Sequence, residues 1–358
     1  MTSTPHGRDG RLAWVDGLRG AAAVIVVVQH AAERQSASFR TFSASWLQLG
    51  QLGVMVFFLI SGLVVPVSLE RGGTLGRFWV SRIMRLYPAY WLSLVGLYVV
   101  HKLGDHPYPR AFRHHPTRSW LGELTMLQAY LRIPNLQGVY WTLAFEMAFY
   151  VLISVLFVAK ALRHSVFLAC TALGGALALS VVGRLAGHHV PLGVANIATM
   201  FVGTVLWRVR AGEVSARAGW RVYALGLVVC ELVLVVQLAG KGVDTSTADA
   251  TSLRPVAISW LIAYALVGVV FGVRDRLVVP RLFVWVGLVS YSVYLLHPLV
   301  LDALGRAGGA IGTVAAALAI TVAAATVSYV LVERPAVRLG RRWSHRVGAR
   351  STAPGASH

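Results

Sequence analysis

The stretch WVDGLRGAAAVIVVVQHAAER, residues 14–34, decides how the rest of the chain is read. Its apolar centre belongs to a run over 18–36. That run can cross a bilayer as a helix, which takes about 20 mostly apolar residues. Within it stand Arg19 and His30, eleven residues apart. Helical steps of about 100° bring the two within roughly 20° of one face, with a rise of about 16 Å between them. Ionisable groups are costly inside a membrane, so each is a candidate for function. The structural alternative is a snorkelling arginine and a histidine hydrogen-bonded inside a bundle.

The chain around this stretch has the same character. Of its 358 residues, 56% are hydrophobic and 13% charged, with a mean hydropathy of +0.65. A soluble domain is about 25% charged. These values exclude a disordered chain, a disulfide scaffold and an ordinary cytosolic enzyme. Apolar segments recur at 47–69, 84–102, 140–161, 165–183, 191–208, 220–239, 254–273, 282–303 and 308–332. The expected fold is therefore all-α, a polytopic membrane bundle of about ten transmembrane helices. Residues 1–340 read as a single transmembrane domain and 341–358 as a polar, disordered tail. Segment 119–131 is too short to span, carries Glu123, and reads as an interfacial or re-entrant helix. Cys170 and Cys230 each lie in an apolar run and read as small core residues, not as a disulfide or metal pair.

Lys and Arg number 33 against 14 Asp and Glu, a net charge of +19. Such a balance can mark a nucleic-acid partner. The positive-inside rule explains it better, and no nucleic acid is expected. With the N-terminus inside, 21 basic residues fall in inner segments and 11 in outer ones. The expected protein is a multi-pass component of the cytoplasmic membrane with both termini on the cytoplasmic side. A secretory signal peptide over the first run is disfavoured by Asp16 and Arg19 at its entrance.

Arg82 and Arg85, at i and i+3, share a helix face at the inner boundary. They could clamp phosphate oxygens or serve as topology anchors. Pro88 either kinks that helix or marks its start. Tyr87, Tyr90 and Trp91 fit an interfacial aromatic belt. Glu146 stands about a turn inside the fourth span and needs a His, an Arg or a bound hydroxyl as partner. Glu231 receives no role, and Asp302 is expected to be wetted at a span end. Ser61 and Gly62 favour close helix packing over catalysis, since no base stands at a recognisable spacing from Ser61. His297, before Pro298, is of second rank. His101, His106, His114 and His115 form no HxxxH or HExxH pattern, and no metal is expected. Intramembrane Arg, His and Glu also suit a proton-coupled small-molecule transporter, although no inverted repeat supports one. A non-catalytic assembly subunit gives no reason for Arg19 and His30 on one face.

Six pieces in order carry a resemblance: DGLRGAAAVIVVVQH (16–30), GVMVFFLISG (53–62), RIMRLYPAYW (82–91), WTLAFEMAFY (141–150), SYSVYLLHP (290–298) and VERP (332–335). Together they resemble the acyltransferase 3 family of integral membrane acyltransferases over nearly the whole chain. The family's Arg-x10-His pattern falls on Arg19 and His30. Its Arg-x-x-Arg pattern falls on Arg82 and Arg85, and its tryptophan-to-glutamate motif on Trp141 and Glu146. Two positions depart. Met55 stands where some members carry an acidic residue, and Met147 where many carry a second acidic or amide residue. The chain looks like the stand-alone form, without an added hydrolase-like domain.

The resemblance implies transfer of an acyl group, often acetyl, from acyl-CoA to a hydroxyl. The acceptor would be a carbohydrate or a secondary metabolite such as a macrolide antibiotic. Acyl-CoA would be a co-substrate, with no permanently bound cofactor. His30 would be the general base or an acyl relay, and Glu146 would orient it or bind the acceptor. Arg82 and Arg85 would hold the CoA phosphates, and Arg19 would bind donor or stabilise negative charge. Asp16, Ser61, Tyr87, Trp141, Tyr291 and His297 form a second rank.

Overall fold

The computed structural model describes residues 12–104, 115–188, 190–239, 252–305 and 310–351, and its regular elements are all helical. They are α1 (Ala13–Gln35), α2 (Ala37–Ser45), α3 (Leu49–Gly72), α4 (Leu75–Leu103), α5 (Pro116–Leu124), α6 (Trp141–Val158), α7 (Ser165–Leu185), α8 (Gly193–Arg210), α9 (Ala216–Leu238), α10 (Leu253–Val273), α11 (Arg281–Leu304), α12 (Ala310–Ser328) and α13 (Arg334–Ser351). Short 3-10 turns precede α6 and α7, and a π-helical turn, Tyr329–Glu333, joins α12 to α13. Among the described residues nine helices are long and apolar enough to cross a membrane.

The tenth expected span, 191–208, is present as α8 but falls short of that hydropathy. The reason is its position. α8 is buried along almost its whole length and carries Asn196, Thr199 and Thr204 inside the bundle. The Thr204 hydroxyl donates to Gly62 O at 3.0 Å, and Thr199 lies 3.0 Å from the Tyr264 hydroxyl. A helix covered by protein can use such groups as interhelical glue.

Two helix pairs form the frame, and glycine sets both. A Cβ on Gly62 of α3 would fall 1.8 Å from Met200 O of α8, and one on Gly203 would fall 2.1 Å from Leu59 O. Between α1 and α11, a Cβ on Gly287 would lie 1.9 Å from Asp16 O and one on Gly20 2.4 Å from Phe283 O. The backbones touch because no side chain separates them. With little hydrophobic drive between helices in lipid, such small-residue contacts supply the packing. Close approach at 53–62 thus belongs to Gly62 and also to Gly53, where a Cβ would fall 2.8 Å from Ala22 O of α1.

Gly73, at φ +70, closes α3, and the Thr74 side chain caps α4. This tight turn folds α4 back along the bundle. Pro88 lies inside α4, so the helix begins well before the expected 84. The side chains read as an interfacial belt hold the 116–136 segment instead. Tyr87 donates to Thr125 O at 2.8 Å, Trp91 to Leu124 O at 3.1 Å, and the fully buried Tyr90 to the Glu123 carboxylate at 2.6 Å. The second Glu123 oxygen accepts from Leu136 N at 2.5 Å. Burial pushes the Glu123 carboxyl above the usual carboxylate range, and these hydrogen bonds pull it back. The segment is a short helix followed by turns, with Met126 and Arg132 at positive φ.

Helix α13 runs through Ser351, with Arg, Ala and Leu favouring helix even in a polar stretch. Gly340 packs there against Met84. Residues from 352 lie outside the described residues. Cys230 is buried, but Cys170 is exposed on the outer face of α7, and both thiols are free.

Gly62→Ala should destabilise the protein by about 1–3 kcal/mol through overpacking. Gly174→Ala, where a Cβ meets nothing within 4 Å, should not. Thermal unfolding in detergent compares them, and equal midpoints would contradict the close approach. Glu123→Ala leaves the Tyr90 hydroxyl and Leu136 N–H without their acceptor, at a cost of about 2–4 kcal/mol. Hydrogen exchange at Leu136 should then accelerate.

Candidate active site

A buried cleft of about 70 Å³ lies where α1, α3, α4, α6 and α11 meet. Three guanidiniums line it, Arg19 from α1 and Arg82 and Arg85 from α4, against a single carboxylate, Glu146 of α6. The hydroxyls of Ser61, Thr142, Ser290, Tyr291 and Tyr294 and the rings of Phe57 and Phe58 complete the walls. Three helices far apart in sequence, α1, α4 and α6, thus deliver charged residues singled out above to one place, and α3 and α11 complete it.

Each arginine is held differently. Arg82 is buried, donates to the Ser68 hydroxyl, and packs its guanidinium over Phe78 at 5.3 Å and Tyr150 at 5.5 Å. Its Nε is buried without a hydrogen-bond partner. Arg19 Nε donates to Ser290 Oγ at 3.4 Å. Arg85 feels the charges of Glu333, Glu146 and Asp16. Glu146 accepts a hydrogen bond from the Tyr150 hydroxyl, a partner not among those expected.

His30 stands away from the cleft lining. Its Nδ1 lies 2.9 Å from Nε2 of His297 on α11, with the two rings nearly coplanar at 10°. His297 is fully buried, and its Nδ1 faces Val293 O at 3.3 Å. His30 thus faces His297, while Glu146 accepts from Tyr150. Tyr294 links the two places, since it lines the cleft and its ring lies 5.9 Å from that of His297.

The second-rank residues divide. Ser61 and Tyr291 line the cleft, and Tyr291 donates to Leu86 O at 3.0 Å. Asp16 supplies charge near Arg19 and Arg85. Trp141 packs edge-on against Phe58 at 6.4 Å, behind the cleft lining. Tyr87 belongs to the 116–136 anchor. Met55 and Met147 are buried in apolar clusters. A carboxylate placed there would meet hydrocarbon, not the cleft. Asp302, expected to be wetted, pairs with Arg34 at 2.6 Å and accepts from Gln137 at 3.3 Å. Glu231 Oε1 is buried without a partner and lies outside the cleft lining. Among the described residues no group of three or more His, Cys, Asp or Glu is placed to hold a metal. His106 and His114 lie outside the described residues.

Sequence reading missed Ser290, Tyr294, Tyr150 and Glu333. The first two had a signal: Ser290, Tyr294 and His297 stand at i, i+4 and i+7, one face of one helix. Tyr150 stands at i+4 from Glu146. Glu333 is buried in the π turn, where the Ser292 hydroxyl donates to it at 3.1 Å, and no spacing pointed to it.

Comparison with known proteins fits this geometry. The chain is 29% identical over 332 residues to the exopolysaccharide production protein ExoZ of Rhizobium meliloti, covering 87% of this chain and 95% of that protein. It is 28% identical over 151 residues to the acyltransferase MdmB of Streptomyces mycarofaciens, 39% of this chain and 38% of that one. It is 29% identical over 99 residues to the peptidoglycan O-acetyltransferase OatA of Listeria monocytogenes, 26% of this chain and 14% of that one. No solved structure matches. The sequence pattern of the acyltransferase domain covers residues 12–333, and the chain thus belongs to the acyltransferase 3 family of membrane acyltransferases.

Proposed function

We propose that this protein transfers an acyl group, acetyl first among them, from acyl-CoA to a hydroxyl of a carbohydrate or glycosylated metabolite. The observation that carries this reading is the spacing of two unlike sites on one helix. Arg19 stands in a cleft with two more arginines, and His30 lies eleven residues along α1, about 16 Å higher. Acyl-CoA has the same form: anionic phosphates at one end and a thioester at the other. About fourteen bonds separate its pantetheine phosphorus from the acyl carbon, a reach of roughly 16 Å at the rise per bond of an extended chain.

The chemistry then divides along the donor. Arg82, Arg85 and Arg19 bind phosphate oxygens through charge-assisted hydrogen bonds, with the Nε of Arg82 among the donors. The imidazole of His30 takes the proton of the acceptor hydroxyl, and the oxygen attacks the thioester carbonyl. The tetrahedral intermediate collapses with cleavage of the C–S bond, and the departing thiolate receives the proton from His30. The products are the acyl ester and free CoA. Positioning of donor and acceptor supplies the remainder of the rate. The positive-inside bias supports an orientation with the arginine end and both termini toward the cytoplasm, where acyl-CoA is found. Similarity to an exopolysaccharide production protein and a peptidoglycan O-acetyltransferase supports a glycan hydroxyl as acceptor. Similarity to MdmB supports acyl transfer as the reaction.

His30→Ala should lower acyl transfer by about 10²–10⁴-fold, followed as CoA release from acetyl-CoA by membranes that contain the cells' own surface glycan. Wild-type turnover would overturn the base assignment, and no CoA release by the unaltered protein would favour a carrier. Replacing Arg82 and Arg85 by Gln should raise the KM for acetyl-CoA by about 10–100-fold, the loss of charged hydrogen bonds. An unchanged KM would reduce both to topology anchors.

A further inference from the structure

We infer that His297 is the positioning residue that fixes His30 in the tautomer able to act as a base. The inference rests on the reading of His30 as the general base.

The argument begins with Pro298. Proline has no N–H, so inside α11 it leaves the carbonyl of Tyr294 without its helical donor. The imidazole of His297 turns back onto its own helix and meets the carbonyls of Val293 and Tyr294. Carbonyls only accept, so the Nδ1 facing them carries the proton. In a neutral imidazole the other nitrogen, Nε2, is then an acceptor. That nitrogen lies 2.9 Å from Nδ1 of His30. A hydrogen bond of this length needs a donor, so the proton of His30 sits on its Nδ1. Its Nε2 is left as the lone-pair nitrogen. One missing N–H thus propagates through two rings to the nitrogen that receives the acceptor's proton.

The carboxylates nearest in sequence have other partners: Glu33, three residues beyond His30, accepts from the Ser43 hydroxyl. Glu146 is occupied by Tyr150 in the arginine cleft. Asp302, five residues beyond His297, has its oxygens on Arg34 and Gln137. A carboxylate against His30 would favour the imidazolium; a neutral imidazole fixes the tautomer without bringing a charge. When His30 Nε2 takes the acceptor proton, Nδ1–H keeps its acceptor on His297, so the ring need not turn.

The test uses the full chain in detergent micelles or nanodiscs with 15N-labelled histidine. The His30 signals, assigned by their loss in His30→Gln, should report the Nδ1–H tautomer. A wild-type His30 protonated on Nε2 overturns the proposal without any variant of His297. Kinetics give the second readout, with acetyl-CoA as donor and the cells' own surface glycan as acceptor. His297→Phe should lower kcat by about 10–100-fold, the usual loss for an outer partner of a reacting imidazole, with the KM for acetyl-CoA unchanged. His297→Gln, whose amide oxygen can accept the same hydrogen bond, should recover most of kcat. Wild-type kcat in His297→Phe, or equal loss in both variants, overturns the positioning role. Activity retained in His30→Ala instead overturns the base reading, while the tautomer measurement stands on its own.

Discussion

Gly20 and Gly287 let the backbones of α1 and α11 touch, and the polar contacts along the seam depend on it. The two helices run in the same direction. From the contact upward, Arg19 meets Ser290, His30 meets His297, Arg34 meets Asp302, and Gln35 meets Gly305 O. Between the first two levels Ala23 and Val27 pack with Val289 and Val293. That apolar block keeps the arginine cleft and the histidine pair apart. A side chain at either glycine would spread the seam, and a 2.9 Å hydrogen bond has little slack before it is lost.

The buried polar groups fall into closed sets and open ones. Arg208 is closed in charge: Glu70 and Glu213 neutralise it and Leu162 O accepts from it, although its Nε, like that of Arg82, has no partner. Glu123 is closed by Tyr90 and Leu136. Breaking such a set costs stability and changes nothing else, which is the mark of a structural role. Arg82 is open. It donates to a neutral serine, two aromatic faces flank it, and Nε is buried unsatisfied. A buried cation left so is expensive. An anion in the cleft would remove that cost, whereas a structural arginine would have been given a carboxylate.

The spans were legible because the bilayer allows few solutions: a run of about 20 apolar residues is nearly a statement of structure. What hydropathy cannot tell is which span faces lipid, so α8 read like the others although protein covers it. Arg19, Arg82, Arg85 and Glu146 were legible because charge in an apolar run is conspicuous. Their convergence on one cleft was not, since α1, α4 and α6 meet only in three dimensions. Tyr87, Tyr90 and Trp91 were misread because an aromatic that donates to a neighbouring loop has the same sequence signature as one that donates to lipid headgroups. His297 was undervalued for a similar reason. Its partner stands 267 residues away, and periodicity does not reach across helices.

Separation of the two sites constrains the donor more than the residues themselves do. Cations hold anions in many proteins, and a histidine can serve as a base in many reactions. A compact donor, with its charge beside its reactive carbon, would require arginines and base within one contact shell. Here about three helical turns separate them, with Ala23, Val27, Val289 and Val293 packed along the seam, and Tyr294 reaches from the cleft to within 5.9 Å of the His297 ring. A ligand that engaged both ends would have to carry its charge at the end of a long, slender arm. Acyl-CoA would meet that description, whereas an acyl phosphate would not. A thioester held beside such hydrocarbon side chains would be shielded from water that otherwise competes with the acceptor hydroxyl.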